Sequence, residues 1–223
     1  MSVTVIIPTT GSAELFQCVT SVLNQSYKNI TCYIVADGPD ALYPVKTTLK
    51  SLDFKGIDVS NVKLCNLPIN VGAKGFYGHR VYAAFTHLVN SKYVMYLDQD
   101  NWYDTNHVEY CVKVIERQNL DWCYSLRTIC DKDGNQLVND NCESLGKWPV
   151  FSGDYNHVDT SCYCIKTEVA IRLAQVWHGG WGQDRVWYQV LSQNFPNYDV
   201  TGKFTVNYRV GGNEGSVKKE FFE

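Results

Sequence analysis

Short, β-branched apolar runs alternate along the first hundred residues with stretches whose apolar positions recur every three or four residues. Val3-Thr4-Val5-Ile6-Ile7 predicts a buried strand stopped by Pro8. Thr9-Thr10-Gly11-Ser12 then reads as a loop, with Ser12 the N-cap of a helix that places Leu15, Phe16, Val19, Val22 and Leu23 on one face. Residues 30–36 form a second predicted strand, closed by Asp37-Gly38-Pro39. A helix over 45–52 and a short strand over 62–66 follow. The glycine-spaced loop 70–78 leads into a helix over about 79–89, with Val81, Ala84, Phe85 and Leu88 turned inward.

The run Lys92-Tyr93-Val94-Met95-Tyr96-Leu97 has the composition of a strand buried on both faces, and it ends in Asp98-Gln99-Asp100-Asn101. If the backbone stays extended there, Asp98 and Asp100 share a face and point into one small volume. Two such anions are costly unless a cation sits between them, and an all-oxygen ligand set suits Mg²⁺ or Mn²⁺. The plain alternative is a strand that ends in a polar turn. Gln99 points away from the pair and reads as structural.

Beyond it, the pattern predicts a helix over about 106–117, a strand over 122–128 and a hairpin with loop over 131–146. A strand over 161–165, a helix over 168–176, a helix from Gln183 to about 191 and a strand over 204–210 complete the chain. Alternation of strand and helix argues for an α/β fold with a mostly parallel sheet covered by helices on both faces. Ligands of such sheets bind beyond the carboxyl ends of the strands, where Thr9, Asp37 and the Asp98/Asp100 pair all fall.

Composition narrows this picture. The 223 residues, 45% of them apolar and 19% charged, suit one globular domain. Residues 1–100 or so read as a nucleotide-binding half and the remainder as an acceptor and catalytic half, and the charged end from Lys218 to Glu223 could be a truncation point. A net charge of −3 gives no reason to expect a nucleic-acid partner. No apolar run reaches the length of a transmembrane segment. The nine cysteines are an odd number without a Cys-x-x-Cys pair, and several sit in apolar patterns, so a reducing, cytoplasmic setting is expected, with the cytoplasmic membrane face left open.

Six segments, in this order, resemble the GT-A glycosyltransferases, specifically family 2 of inverting, nucleotide-sugar-dependent enzymes. They are the opening strand to Pro8, Ser21-Val22-Leu23-Asn24-Gln25-Ser26-Tyr27, Val35-Ala36-Asp37-Gly38, Asn70-Val71-Gly72 with Arg80-Val81-Tyr82-Ala83, Leu97-Asp98-Gln99-Asp100, and Gly182-Gln183-Asp184. Three departures from the family pattern are Ala36 in place of an acid, Val81 in place of Asn, and Gln183 in place of Glu.

The resemblance implies a GT-A fold, a UDP-sugar donor, a glycan or other hydroxyl acceptor and a Mn²⁺ or Mg²⁺ cofactor. Asp100 would ligate the metal directly, and Asp98 would serve both ribose hydroxyls and metal. Pro8, Thr9 and Thr10 would lie against the base. Asp37 would accept from base or ribose, unless it only caps a turn. Arg80 would contact base or diphosphate, unless it is a solvated cation. Asp184, opening a helix whose dipole keeps it anionic, is named the base that deprotonates the acceptor; the bland reading is a helix cap. Gln183 could orient the acceptor, and Asp159 would face donor sugar and acceptor. Trp148 and Trp181 could stack on sugar rings, or pack in the core. Asn213 stands where relatives place a further metal or diphosphate ligand, often His.

Two rival functions remain at this point. A sugar-1-phosphate nucleotidyltransferase would show a basic glycine loop after the first strand, where this chain has Pro8-Thr9-Thr10-Gly11-Ser12. A non-catalytic nucleotide-sugar or carbohydrate-binding domain would have no need to retain Asp98, Asp100 and Asp184 together.

Overall fold

A nine-stranded sheet organises the chain, and the computed structural model describes residues 1–146, 157–211 and 217–222 of it. Strands β1 (Val3–Thr9), β2 (Ile30–Ala36), β3 (Val62–Asn66) and β4 (Tyr93–Tyr96) alternate with helices α1 (Leu15–Leu23), α2 (Leu42–Phe54) and α3 (His79–Phe85). The short strand β5 (Trp102–Tyr103) and helix α4 (His107–Gln118) come next. They are followed by β6 (Trp122–Cys130), β7 (Gln136–Asn139), β8 (Tyr163–Lys166), α5 (Thr167–Leu173), α6 (Gln183–Asn194) and β9 (Tyr198–Arg209). The spatial order is β3-β2-β1-β4-β8-β6-β9-β5, with β7 on the flank of β6. Strands β1 to β4, β6 and β9 run one way, while β5, β7 and β8 oppose them. This is the predicted α/β fold with a mostly parallel sheet.

Every residue of β1 and β4 is buried, so the sheet is covered on both faces at its centre. The face of α1 matches the periodicity, with Leu15, Cys18, Val19 and Val22 sealed against the sheet.

Four local expectations need correction. β1 does not stop at Pro8. The Ile6 carbonyl accepts from Leu97 N on the β4 side and the Thr9 carbonyl from Asp37 N on the β2 side. Alternation therefore turns Pro8 toward β4, whose pairing has already ended at Ile6, so its missing N–H leaves no gap in the ladder. Ser12 does not cap α1, because its hydroxyl donates to Glu14 Oε2 instead. Helix α3 buries Tyr82 and leaves Ala84 exposed, and it tightens into a 3₁₀ turn over Thr86–Leu88, which rotates Leu88 to the surface and buries Thr86 and Val89. Finally, β9 begins six residues earlier than its pattern suggests, with the Tyr198 ring stacked 4.0 Å from that of Trp122.

Candidate active site

The carboxyl ends of β1, β2 and β4 open into a cavity of about 720 Å³, a size suited to a small-molecule ligand. Pro8, Thr9, Thr10, Asp37, Asp98 and Asp100 line one side, and Asp159, Trp181 and Asp184 the other. Residues from Pro8 to Phe221 thus share one space.

Asp98 and Asp100 reach it by a route other than extended backbone. Asn101 N donates to the Asp98 carbonyl at 3.1 Å, so residues 98–101 make a turn. That turn is braced from three directions. The Gln99 side chain accepts from Thr9 Oγ1 at 2.6 Å and from Thr10 N at 3.1 Å, tying it to the loop after β1. Asn101 donates to Ser161 Oγ and accepts from Arg209 N, each at 3.1 Å. The Arg209 guanidinium donates to the Asp100 carbonyl at 3.1 Å and carries a fixed positive charge beside the acids.

Asp98 lies deepest. Burial, then the nearby charges of Asp159 and Asp100, push its carboxyl up to about 8, against a hydrogen bond from the Tyr82 hydroxyl that favours the anion. The site is therefore short of positive charge. Among the described residues, no three His, Cys, Asp or Glu side chains are arranged to hold a metal by themselves. Two carboxylates on a turn suit a hard divalent cation that completes its shell with ligand phosphates and water.

Asp37 is almost sealed, and its two oxygens accept from Val71 N at 2.7 Å and Gly72 N at 2.9 Å. It shapes the glycine loop, while each oxygen keeps a second lone pair for a ligand. Gly72 is required there, since a Cβ would run into the Tyr77 carbonyl.

On the opposite wall, Asp184 sits in the first turn of α6. Its Oδ1 accepts from Arg185 N at 2.9 Å, and its Oδ2 lies 3.4 Å from His157 Nε2. Asp159 is held at both oxygens, by Ser161 N at 2.9 Å and by Arg127 Nη1 at 2.7 Å. Arg127 comes from the middle of β6 and is completely buried. It also donates through Nε to Asp140 at 2.7 Å and through Nη2 to Glu143, and its guanidinium lies 4.1 Å from the Tyr208 ring centroid. One cation thus organises three acids, of which Glu143 and Asp159 line the cavity.

A family model described as glycosyl transferase family 2 matches residues 4–165, well over half of the chain. The chain belongs to glycosyl transferase family 2. Among solved structures, this family 2 chain resembles Staphylococcus aureus TarS 1–349 in complex with UDP-GlcNAc, with a TM-score of 0.71 and 14% identity over 96% of this chain and 60% of that one. The mannosyltransferase PcManGT from Pyrobaculum calidifontis, in complex with GDP-Man and Mn²⁺, gives a TM-score of 0.63 and 12% identity over 96% and 58%. At such identities the likeness establishes the GT-A fold alone. The chain spans 37% of the longer TarS structure. Comparison with curated proteins found no match.

Not every expected residue of this family 2 chain reaches the cavity. Arg80 turns away: its guanidinium stacks 3.2 Å from the Phe76 ring centroid, donates to the Val71 carbonyl and lines a separate shallow pocket with Leu67 and His178. Gln183 folds back to donate to the Val176 carbonyl, against a glycine (Gly179) whose Cβ would collide with it. Trp181 stands 70% exposed at the rim, its ring 4.4 Å from the Arg185 guanidinium. Trp148 and Asn213 lie outside the described residues. In return, the cavity gains Glu143, His79, His157 and Arg209, and its acids gain Tyr82 and Arg127 as partners. Burial holds His79 below its usual range while its ring meets the Gly179 carbonyl at 3.2 Å. A His two residues before Asp159 and an Arg within an apolar strand were the sequence signals available for His157 and Arg127. Among the described residues, no helix is long and apolar enough to cross a membrane.

Proposed function

We propose that this chain is an inverting glycosyltransferase that moves a sugar from a nucleoside diphosphate, with a UDP-sugar favoured, to a hydroxyl of a glycan or other acceptor. The observation that carries this reading is the cavity itself, where Asp98 and Asp100 at the end of β4 face Asp184 and Asp159 across one ligand-sized space. Neighbours of the same fold are described with UDP-GlcNAc and with GDP-Man, which fits a donor of this class.

Pro8, Thr9 and Thr10 would wall the base, and Asp37 would accept from base or ribose through its remaining lone pairs. Asp98 would take ribose hydroxyls, and Asp100 and Asp98 would hold Mn²⁺ or Mg²⁺. Such an ion would supply Lewis-acid stabilisation of the diphosphate as negative charge grows on it. Asp184 would accept the proton of the acceptor hydroxyl as that oxygen attacks the anomeric carbon. It stands in the first turn of α6, with its Oδ2 3.4 Å from His157 Nε2. Asp159, immobilised by Arg127, would orient donor-sugar or acceptor hydroxyls, and Trp181 would offer a stacking face at the entrance.

The test is incubation with a panel of UDP- and GDP-sugars and Mn²⁺, following hydrolysis or transfer to added glycans. Release of UDP from at least one UDP-sugar, with inversion at the anomeric carbon of the product, is expected. No turnover of any donor, together with no nucleotide binding, would refute the reading.

A further inference from the structure

Helix α3 contributes a residue to the candidate site that neither its glycine-rich approach nor Arg80 announces. The Tyr82 hydroxyl donates to Asp98 Oδ1 at 2.8 Å. Tyr82 is completely buried, so the phenol has one fixed approach to that oxygen. Its ring meets Tyr96 edge-on at 4.9 Å and leans on Trp177 at 5.4 Å, and Trp177 is in turn stacked on Trp187 at 4.5 Å. The backbone is equally constrained, with Tyr82 N bonded to the Gly78 carbonyl at 3.0 Å and the Tyr82 carbonyl to Thr86 Oγ1 at 2.7 Å. Gly78 itself presses on Pro8, where a Cβ would lie 2.6 Å from the proline ring.

A carboxylate turns easily about its last torsion, and a single strong hydrogen bond to one oxygen fixes the plane of both. We propose that Tyr82 is a positioning residue: its hydroxyl, clamped by the aromatic wall, sets the Asp98 carboxylate in the one orientation that receives the nucleotide and its divalent cation. This inference rests on the nucleotide-sugar reading above. It adds that the first turn of α3, anchored on Pro8, transmits the position of the base-binding loop to the acid at the end of β4.

The experiment is Tyr82→Phe, which keeps the ring in its aromatic setting and removes only the hydroxyl. Titration calorimetry with UDP, with and without Mn²⁺, is run beside thermal melting on wild type, Tyr82→Phe, Asp98→Asn and the double variant. Partners that orient a ligating group typically matter by roughly 10–100-fold. UDP affinity in Mn²⁺ should therefore fall by at least about tenfold in Tyr82→Phe, and the metal concentration for half-saturation should rise. The hydroxyl should matter little once Asp98 is Asn, so the two losses should not add. Leu52→Ala, which removes buried apolar volume from α2 away from the cavity lining, should lower the melting temperature and leave affinity alone. If Tyr82→Phe melts lower but binds UDP–Mn²⁺ as wild type does, the hydroxyl merely satisfies a buried phenol and the inference is overturned. Absence of Mn²⁺-dependent binding in the wild type would instead overturn the functional reading on which it stands.

Discussion

Replacing Arg127 by Met is the perturbation whose consequence can be worked out most fully. Arg127 is completely buried and binds Asp140, Glu143 and Asp159, which are themselves nearly or fully sealed. Met keeps the length and apolar volume of the side chain but leaves three acids around an uncharged group. Removing one partner of a buried ion pair costs about 3–5 kcal/mol, chiefly because charge is left uncompensated. Against a total stability of roughly 5–15 kcal/mol, that is a large fraction. At about 2–4 °C per kcal/mol for a chain of this size, melting should fall by roughly 6–20 °C.

The pH dependence supplies a sign. Burial works against the Asp140 anion, but the charge of Arg127 and the N–H groups of Cys142 and Ser144 outweigh it and hold that carboxyl below its usual range. Its contribution to wild-type stability is thus present above about pH 4 and lost as pH falls through the folded value. Without Arg127 the depression disappears, and protonation of the stranded acids relieves the variant. The gap between wild type and Arg127→Met should therefore narrow as pH falls from 7 toward 4. Urea unfolding at several pH values measures it. A gap below about 1 kcal/mol at pH 7, the size of an exposed ion pair, would show that the cluster does not hold the floor of the site.

Two further outcomes follow from the acids in the cavity. Asp184→Asn keeps the size of the side chain but cannot take a proton, so transfer should fall by roughly 10²–10⁴-fold with nucleotide affinity and melting temperature hardly changed; an unimpaired rate would transfer the base assignment to Asp159. Asp98, with its carboxyl raised by burial to about 8, holds a proton in the folded state that the unfolded chain releases near pH 4. Stability of the metal-free protein should therefore decline as pH rises between those values, and stabilisation by added Mg²⁺ should grow over the same interval, as followed by thermal melting. A Mg²⁺ effect that is the same at pH 5 and pH 8 would contradict this.

Much of the fold was legible because buried parallel strands leave largely apolar runs, as in residues 30–36, which are β2 to the residue, while the half-exposed edge strand β3 matches residues 62–66 through its shorter apolar pattern. Thr9, Asp37 and Asp98 were legible for the same reason, as the first polar positions after such runs, and Asp100 two residues beyond. What escaped was set by contacts between distant segments. Pro8 continues β1 only because β4 stops pairing earlier. Arg127 lies in a strand pattern that gives no hint of Asp159, 32 residues on. The stacking of Arg80 on Phe76 and the turn of Gln183 toward Val176 depend on side-chain packing to which a motif is blind. Tyr82 stands outside the inward face that helical spacing assigns to Val81, Ala84, Phe85 and Leu88, yet it is completely buried.

The central claim, that the end of β4 receives a nucleoside diphosphate through a divalent cation, is tested most directly by UDP titration calorimetry. Wild type and Asp100→Ala are titrated with and without Mn²⁺, with melting temperatures recorded on the same preparations. Binding in the wild type should depend on Mn²⁺, and Asp100→Ala should lose that dependence while remaining folded, since the change removes one of several crowded anions. Asp100→Ala binding UDP in Mn²⁺ as tightly as wild type would contradict the claim.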